Sequence, residues 1–269
     1  MRIAAAQIVT GPDTRENLRQ VEKWTELAAR QGARVVVFPE ATQRAFGHPL
    51  TPIAEPIHGP WASAVKEIAE LHGVVVVAGM FTPATPSAEG HDRVTNTLIA
   101  VGHGVHASYD KVHLYDAFGF KESKTVQPGD ELVRFEVDGV TLGLATCYDI
   151  RFPSLFTAHA RAGTAATLVP ASWGAGPGKV EQWELLARAR ALDSTQYIVA
   201  CGQGLPSAAG VEAPEQAPTG VGHSLMVAPT GKVLAQAGEA PQLLTVDLET
   251  ETVEHAQRLI PVLANAREF

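Results

Sequence analysis

Three reactive side chains in this 269-residue chain each close an apolar, strand-like run. Glu40 follows Val35-Val36-Val37-Phe38-Pro39, Lys111 follows Val105-His106-Ala107-Ser108-Tyr109-Asp110, and Cys147 follows Val140-Thr141-Leu142-Gly143-Leu144-Ala145-Thr146. A charged or nucleophilic group at the carboxyl end of a strand stands at the sheet edge where α/β proteins build their sites. After Cys147 the chain turns, and Pro153 suits the first turn of a helix. A thiol at such a corner is expected to face substrate, with the helix N-terminus favouring the thiolate. Cys147 therefore reads as a nucleophile that needs a base. Glu40 can take its proton and later return it to a leaving ammonia or amine. Lys111 supplies positive charge for the thiolate and for the oxyanion of a tetrahedral intermediate, with the Tyr148 backbone N–H as second donor. Losing one such donor typically costs about 3 kcal/mol. A water activated by Glu40 would then hydrolyse the thioester. Taken singly, Glu40 could equally be a cap after Pro39, and Lys111 a solvated strand-end lysine.

The elements that must carry these groups alternate between strand and helix. Ile3 to Ile8 reads as a strand. Thr14 to Arg30 reads as an amphipathic helix with Leu18, Val21, Trp24, Leu27 and Ala28 on one stripe, ended by Gly32. Ala33 to Phe38 is β-branched and reads as a strand buried on both faces. A helix over Trp61 to Leu71, between Pro60 and Gly73, leads to a strand over Val74 to Met80. Two hairpins follow. Val94 to Val101 faces Val105 to Tyr109 across Gly102-His103-Gly104, and Leu132 to Val137 faces Val140 to Ala145 across Asp138-Gly139. Beyond them come a helix over Phe152 to Ala162, a strand over Ala165 to Val169, a helix over Val180 to Leu192 and a strand over Tyr197 to Cys201. Leu205 to Gly220 is a Pro-, Ala- and Gly-rich loop of a length that often marks function. Strands over Ser224 to Val227, Val233 to Gln236 and Leu243 to Val246 precede a last helix and tail from Glu251 to Leu263. The class is α/β, with two sheets and helices outside them.

Composition narrows the partners. A net charge of −8 argues against a nucleic-acid or anionic-membrane surface. The first residues lack a basic segment, a long apolar segment and a cleavage site, so they read as a strand. No apolar run approaches the roughly 18 residues of a membrane span. Two cysteines make no disulfide framework, which fits a reducing cytoplasm.

Three separated segments, Val37-Phe38-Pro39-Glu40, Tyr109-Asp110-Lys111-Val112-His113-Leu114 and Thr146-Cys147-Tyr148-Asp149-Ile150-Arg151-Phe152-Pro153, resemble the nitrilase superfamily of carbon–nitrogen hydrolases in the family's order. The resemblance runs over essentially the whole chain, so one hydrolase domain over 1–269 is expected. It implies a four-layer αββα sandwich, a dimer or larger homo-oligomer, and no cofactor. It implies Glu40 as base, Lys111 as oxyanion stabiliser and Cys147 as nucleophile, with Glu122 orienting Lys111 or the substrate amide. The stretch His113-Leu114-Tyr115-Asp116-Ala117-Phe118, with Gln182-Trp183-Glu184 and Arg188-Ala189-Arg190-Ala191-Leu192-Asp193, looks like the deaminated-glutathione amidase and ω-amidase branch. The end, Leu259-Ile260-Pro261-Val262-Leu263 through Arg267-Glu268-Phe269, looks most like bacterial deaminated-glutathione amidases. The partners expected are a small amide and water. ω-Amidase, N-carbamoyl amino acid hydrolase, nitrilase and a non-catalytic binding protein on the same scaffold stay open.

Other residues carry weaker signals. Tyr115, Phe118, Tyr148 and Trp173 are expected to wall the substrate pocket, beside a loop formed around Gly174, Gly176 and Gly178. His103, His106 and His113 lack metal-like spacing, so no metal is expected. Cys201 reads as a small core residue. A substrate carboxylate would require a cation, and Arg151, Arg188 and Arg190 each have a plain salt-bridge reading beside that one.

Overall fold

A computed structural model of the chain describes residues 1–87, 89–117, 119–214 and 217–267. The first half runs β1 (Arg2–Gln7), α1 (Thr14–Arg30), β2 (Val35–Val37), α2 (Pro60–His72), β3 (Val75–Pro83), β4 (Val94–Gly102) and β5 (Val105–Asp110). Three two-residue strands follow, β6 (Asp116–Ala117), β7 (Phe120–Lys121) and β8 (Val126–Gln127). The second half runs β9 (Arg134–Val137), β10 (Val140–Leu144), α3 (Pro153–Arg161), β11 (Ala166–Ala171), α4 (Lys179–Ser194) and β12 (Tyr197–Gly202). It closes with β13 (Leu225–Val227), β14 (Val233–Gln236), β15 (Gln242–Asp247), α5 (Thr250–Leu259) and α6 (Val262–Asn265).

Local chemistry sets the boundaries. Asp13 caps α1, its carboxylate accepting the N–H of Arg15 at 2.8 Å and of Glu16 at 3.3 Å. Those donors would otherwise be open in the first turn. Pro60 opens α2, and Gly73, at φ 66°, closes it in the left-handed conformation that glycine adopts without a Cβ clash. The expected single C-terminal helix is two, because Pro261 has no N–H to continue the ladder. Leu27 lies off the α1 stripe and is exposed, while Asn17 and Thr25 are buried on it.

The strands form two main sheets, in the orders β15-β1-β2-β3-β4-β5, with β8 beside β4, and β14-β13-β12-β11-β10-β9. Strand alternation then builds the layers. Ile3, Ala5, Val35, Val37, Leu98 and Tyr109 of the first sheet meet Leu142, Leu144, Leu168, Val199 and Cys201 of the second in one buried cluster. Their neighbours Ala4, Ala6, Val36 and Phe38 face Val21, Ala28, Trp61 and Val65 of α1 and α2. Val169, Ala171, Ile198 and Ala200 face Phe156, Trp183, Ala187 and Ala191 of α3 and α4. Full burial of a side chain such as Phe38 or Phe156 contributes about 1.5–3 kcal/mol, so each of the three interfaces is a substantial core. The result is the αββα sandwich that the resemblance implies.

Within that frame, β2, β10 and β11 lie in parallel pairings, and β5 returns antiparallel to β4, which is itself antiparallel to β3. Residues 40, 111, 147 and 172 each follow one of these strands.

Candidate active site

Lys111 extends the alternation of Leu98 and Tyr109, whose side chains fill the space between the sheets. At the open end of that space the apolar residues give way to a polar layer. Lys111 Nζ lies 3.0 Å from Glu40 Oε1 and 3.1 and 3.0 Å from the two oxygens of Glu122. Asn96 Nδ2 donates to Glu40 Oε1 at 2.7 Å and approaches Glu122 Oε1 at 3.4 Å. Glu40 Oε2 accepts the Ser172 backbone N–H at 2.8 Å, and Glu122 Oε2 accepts that of Tyr115 at 2.6 Å. Glu40, Lys111, Glu122 and Asn96 are all buried.

Backbone geometry brings these groups together. Gly79 on β3 lies under Glu40, and a Cβ there would meet the Ala41 nitrogen at 2.7 Å and Glu40 Cα at 3.0 Å. Only glycine lets β3 pass so close. Cys147 itself has φ 47°, a left-handed conformation that strains a residue with a Cβ. The fully buried Asp149 carboxylate holds this elbow. Its Oδ2 accepts from Thr146 N at 2.8 Å and from Tyr109 Oη at 2.7 Å, and its Oδ1 accepts from His113 N at 2.9 Å. One side chain thus ties the segment bearing Cys147 to residues two before and two after Lys111.

The electrostatics follow from burial. Burial alone would lower the Lys111 pKa, but the charges of Glu40 and Glu122 outweigh it, and the ammonium is held far above the ordinary lysine range. Burial and then the Glu40 charge push the Cys147 thiol well above its ordinary value, against the opposing pull of Lys111. The favourable pull expected from a helix N-terminus is not what dominates at the sulfur. A single 3-10 turn, Cys147–Arg151, follows the cysteine, α3 starts only at Pro153, and a carboxylate is the thiol's neighbour. The Cys147 sulfur is thus held as a thiol beside the Glu40 carboxylate.

These residues form the floor of a cavity of about 890 Å³. Tyr115, Tyr148 and Trp173 line it as expected, whereas Phe118 lies outside the described residues. Tyr115 and Tyr148 meet edge to face with ring centres 5.1 Å apart. Gly174 and Ala175 line the cavity beside Trp173, and Pro214, Ala217, Pro218 and Thr219 bring the long loop into its wall. The Ser172 hydroxyl donates to the Pro218 carbonyl, joining that wall to the floor.

Two cations border the same cavity. The Arg151 guanidinium lies 5.1 Å from the Trp173 ring centre, and Lys179 Nζ lies 5.9 Å from those of Trp173 and Tyr115. Burial and then the like charge of Arg151 lower the Lys179 pKa. Arg188 and Arg190 are elsewhere, on the Gly231 carbonyl and beside Asp193. His103 sits by Arg34 and Asp138, and His113 stacks on Phe152 at 3.7 Å with Nδ1 at 2.7 Å from Asp149. Among the described residues no group of three or more His, Cys, Asp or Glu side chains is placed to hold a metal.

Sequence reading did not single out Asn96, Ser172, Tyr109 or Asp149. Asn96 had a usable signal, since asparagine is depleted in strands and this one stands between Thr95 and Thr97 ahead of the apolar run Leu98-Ile99-Ala100-Val101. A backbone donor such as the Ser172 N–H has no signature in residue type.

Comparison with known proteins identifies the family. The chain is 54% identical over 275 residues to Hydrolase Rv0480c of Mycobacterium tuberculosis, covering 100% of this chain and 96% of that one. It is 32% identical to the deaminated glutathione amidase of Escherichia coli O157:H7, with 99% and 97% covered. Among solved structures it is similar to the NitN amidase of Nesterenkonia sp. AN1, at 28% identity and TM-score 0.79, over 99% of this chain and 96% of that one. A variant of that amidase has been captured after Michael addition of acrylamide at its active-site cysteine. The family model described as carbon-nitrogen hydrolase matches residues 2–258, and the chain belongs to that family of hydrolases, with members that act on amides.

Proposed function

We propose that the protein hydrolyses a small acyclic amide of a 2-oxo acid through a thioester at Cys147, with deaminated glutathione as its substrate. The observation that carries the mechanism is the placement of Glu40. Its Oε1 is held by Lys111, while its charge acts directly on the Cys147 thiol. The S–H proton passes to Glu40 as sulfur attacks the amide carbon. The oxyanion forms against Lys111 and the Tyr148 backbone N–H. Glu122, with both carboxylate oxygens against the ammonium at 3.1 and 3.0 Å, keeps Lys111 charged and aimed. Collapse breaks the C–N bond, and the leaving amine takes the proton from Glu40. Water enters, gives a proton to Glu40 and attacks the thioester. The carboxylic acid leaves, and the thiol recovers its proton.

The substrate reading draws on the relative named deaminated glutathione amidase and on the cations at the pocket wall. A substrate ending in carboxylates needs positive charge in a net acidic protein, and Arg151 and Lys179 supply it beside Trp173. A cavity of about 890 Å³ admits a tripeptide-sized molecule as readily as a five-carbon amide.

The test is release of 2-oxoglutarate from deaminated glutathione and from α-ketoglutaramate, assayed side by side with purified protein. Faster turnover of the first supports the reading. Preference for the second makes the protein an ω-amidase. If neither turns over while Cys147 alkylates, the branch assignment fails and the amide and nitrile range must be screened.

A further inference from the structure

Asn96 has no task in the reaction above, yet it touches the proposed base. It lies within β4, fully buried, in a strand whose every residue is buried. Its backbone carbonyl accepts the Lys111 N–H at 2.9 Å, so the two residues are opposite one another and project into the same space between the sheets. The fold does not require an amide here. Asn96 Oδ1 is buried with no hydrogen-bond partner among the described residues, a destabilising arrangement that a leucine of similar size would avoid. What the amide supplies is its N–H group, 2.7 Å from Glu40 Oε1 and 3.4 Å from Glu122 Oε1.

Counting acceptor sites on Glu40 shows what that group does. A carboxylate oxygen has two lone pairs in the carboxylate plane. Oε1 receives both Lys111 Nζ, at 3.0 Å, and Asn96 Nδ2. Oε2 receives one N–H, that of Ser172, at 2.8 Å. One acceptor position therefore stays open, and it is on Oε2. We infer that Asn96 is a positioning residue that fills Oε1 and so commits Oε2 to exchanging protons with Cys147, the leaving amine and the hydrolytic water. The orphaned Oδ1 fits this inference, because turning the amide over would place oxygen against two carboxylates.

The inference rests on Glu40 being the base, so the experiment includes Glu40→Gln as a reference. Asn96→Leu fills the space without a donor, and Asn96→Asp keeps the shape while replacing the donor with an acid. Each is purified, its folded fraction is measured, and kcat, KM and the pH profile of kcat/KM are read on the best amide. The expected result for Asn96→Leu is a fall in kcat of about 10- to 100-fold per folded molecule, with KM within about twofold. Its acid limb moves to higher pH, because a carboxylate deprived of a donated N–H is harder to ionise. Asn96→Asp moves that limb further, since it adds a like charge. A structural role alone changes the folded fraction and leaves the limb in place. Wild-type kcat and an unmoved limb in either variant overturn the inference, and Asn96→Asp decides it if Asn96→Leu does not fold. Should Glu40→Gln retain full activity, the base assignment falls with it. A dead Glu40→Gln beside unaffected Asn96 variants overturns the Asn96 role alone.

Discussion

The two cysteines share a residue type and nearly the same burial, and differ in what faces the sulfur. Cys147 is 8% exposed at the cavity floor, and Cys201 is fully buried between the sheets. Both thiols are pushed above their ordinary value, in each case chiefly by burial. At Cys201 the sulfur lies in the apolar cluster between the sheets, with the Val37 carbonyl at 3.1 Å and the Ala6 carbonyl at 3.6 Å. At Cys147 it meets the charges of Glu40 and Lys111. A low resting pKa is therefore not what separates a nucleophile from a core residue here. On the proposed mechanism the separation comes from a base within reach, a cation for the oxyanion and an opening to the cavity.

The largest test of that contrast is deletion of each sulfur. Cys147→Ala should abolish amide hydrolysis, with a loss of at least about 10⁴-fold in kcat, as removal of a covalent nucleophile does elsewhere. Cys201→Ala should retain kcat and KM within about twofold and be less stable by about 1 kcal/mol through lost packing. Turnover by Cys147→Ala at the wild-type rate would end the nucleophile assignment and revive the non-catalytic reading of the sequence motif.

Alkylation sharpens the same contrast with a smaller effect. In the folded protein iodoacetamide should modify Cys147 and leave Cys201 intact until the chain unfolds. The reactive form is the thiolate, and Cys147 is held as the thiol, so its labelling rate should climb steadily as pH rises through the neutral and alkaline range. Peptide mapping of the alkylated protein across pH reads both statements. Fast, pH-independent labelling at pH 6 would mean a resting thiolate and would contradict the Glu40–thiol pairing.

How much of this was legible beforehand depends on how local the cause is. Glu40, Lys111 and Cys147 each end an apolar run, and strand ends are visible in sequence because alternation and β-branching are local. Tyr115, Tyr148 and Trp173 line the cavity, but no strand pattern placed them there. The region from Asp116 to Gln127 could not be resolved into β6, β7 and β8, because two-residue strands carry no period. Asp149 was inside a quoted motif, but its function depends on Tyr109 and His113, 40 and 36 residues away. Asn96 needed the β4–β5 register to bring it beside Lys111. The dipole expected to favour the thiolate is outweighed, because folding buries the sulfur and brings a carboxylate to it.

The smallest expected effect separates the sulfurs by stability rather than activity. Folding holds Cys201 in its neutral form, with a pKa raised above the unfolded value of about 8.5. A raised pKa stabilises the fold fully below the unfolded value, and that stability is lost as pH rises toward the folded one. Above about pH 8.5 the unfolded chain has released this proton and the native chain has not, so stability should drop by up to about 1.4 kcal/mol per pH unit for this group. Between pH 8 and 10 the wild type should lose about 2 kcal/mol more than Cys201→Ala. Urea unfolding at both pH values for the two proteins measures that difference, and contributions from lysines and tyrosines common to both cancel. Because Cys147 is also held protonated, Cys147→Ala should flatten the curve in the same direction while also abolishing activity. Parallel curves for wild type and Cys201→Ala would mean that Cys201 ionises in the folded state, and the distinction between an inert and a reactive buried sulfur would have to rest on access alone.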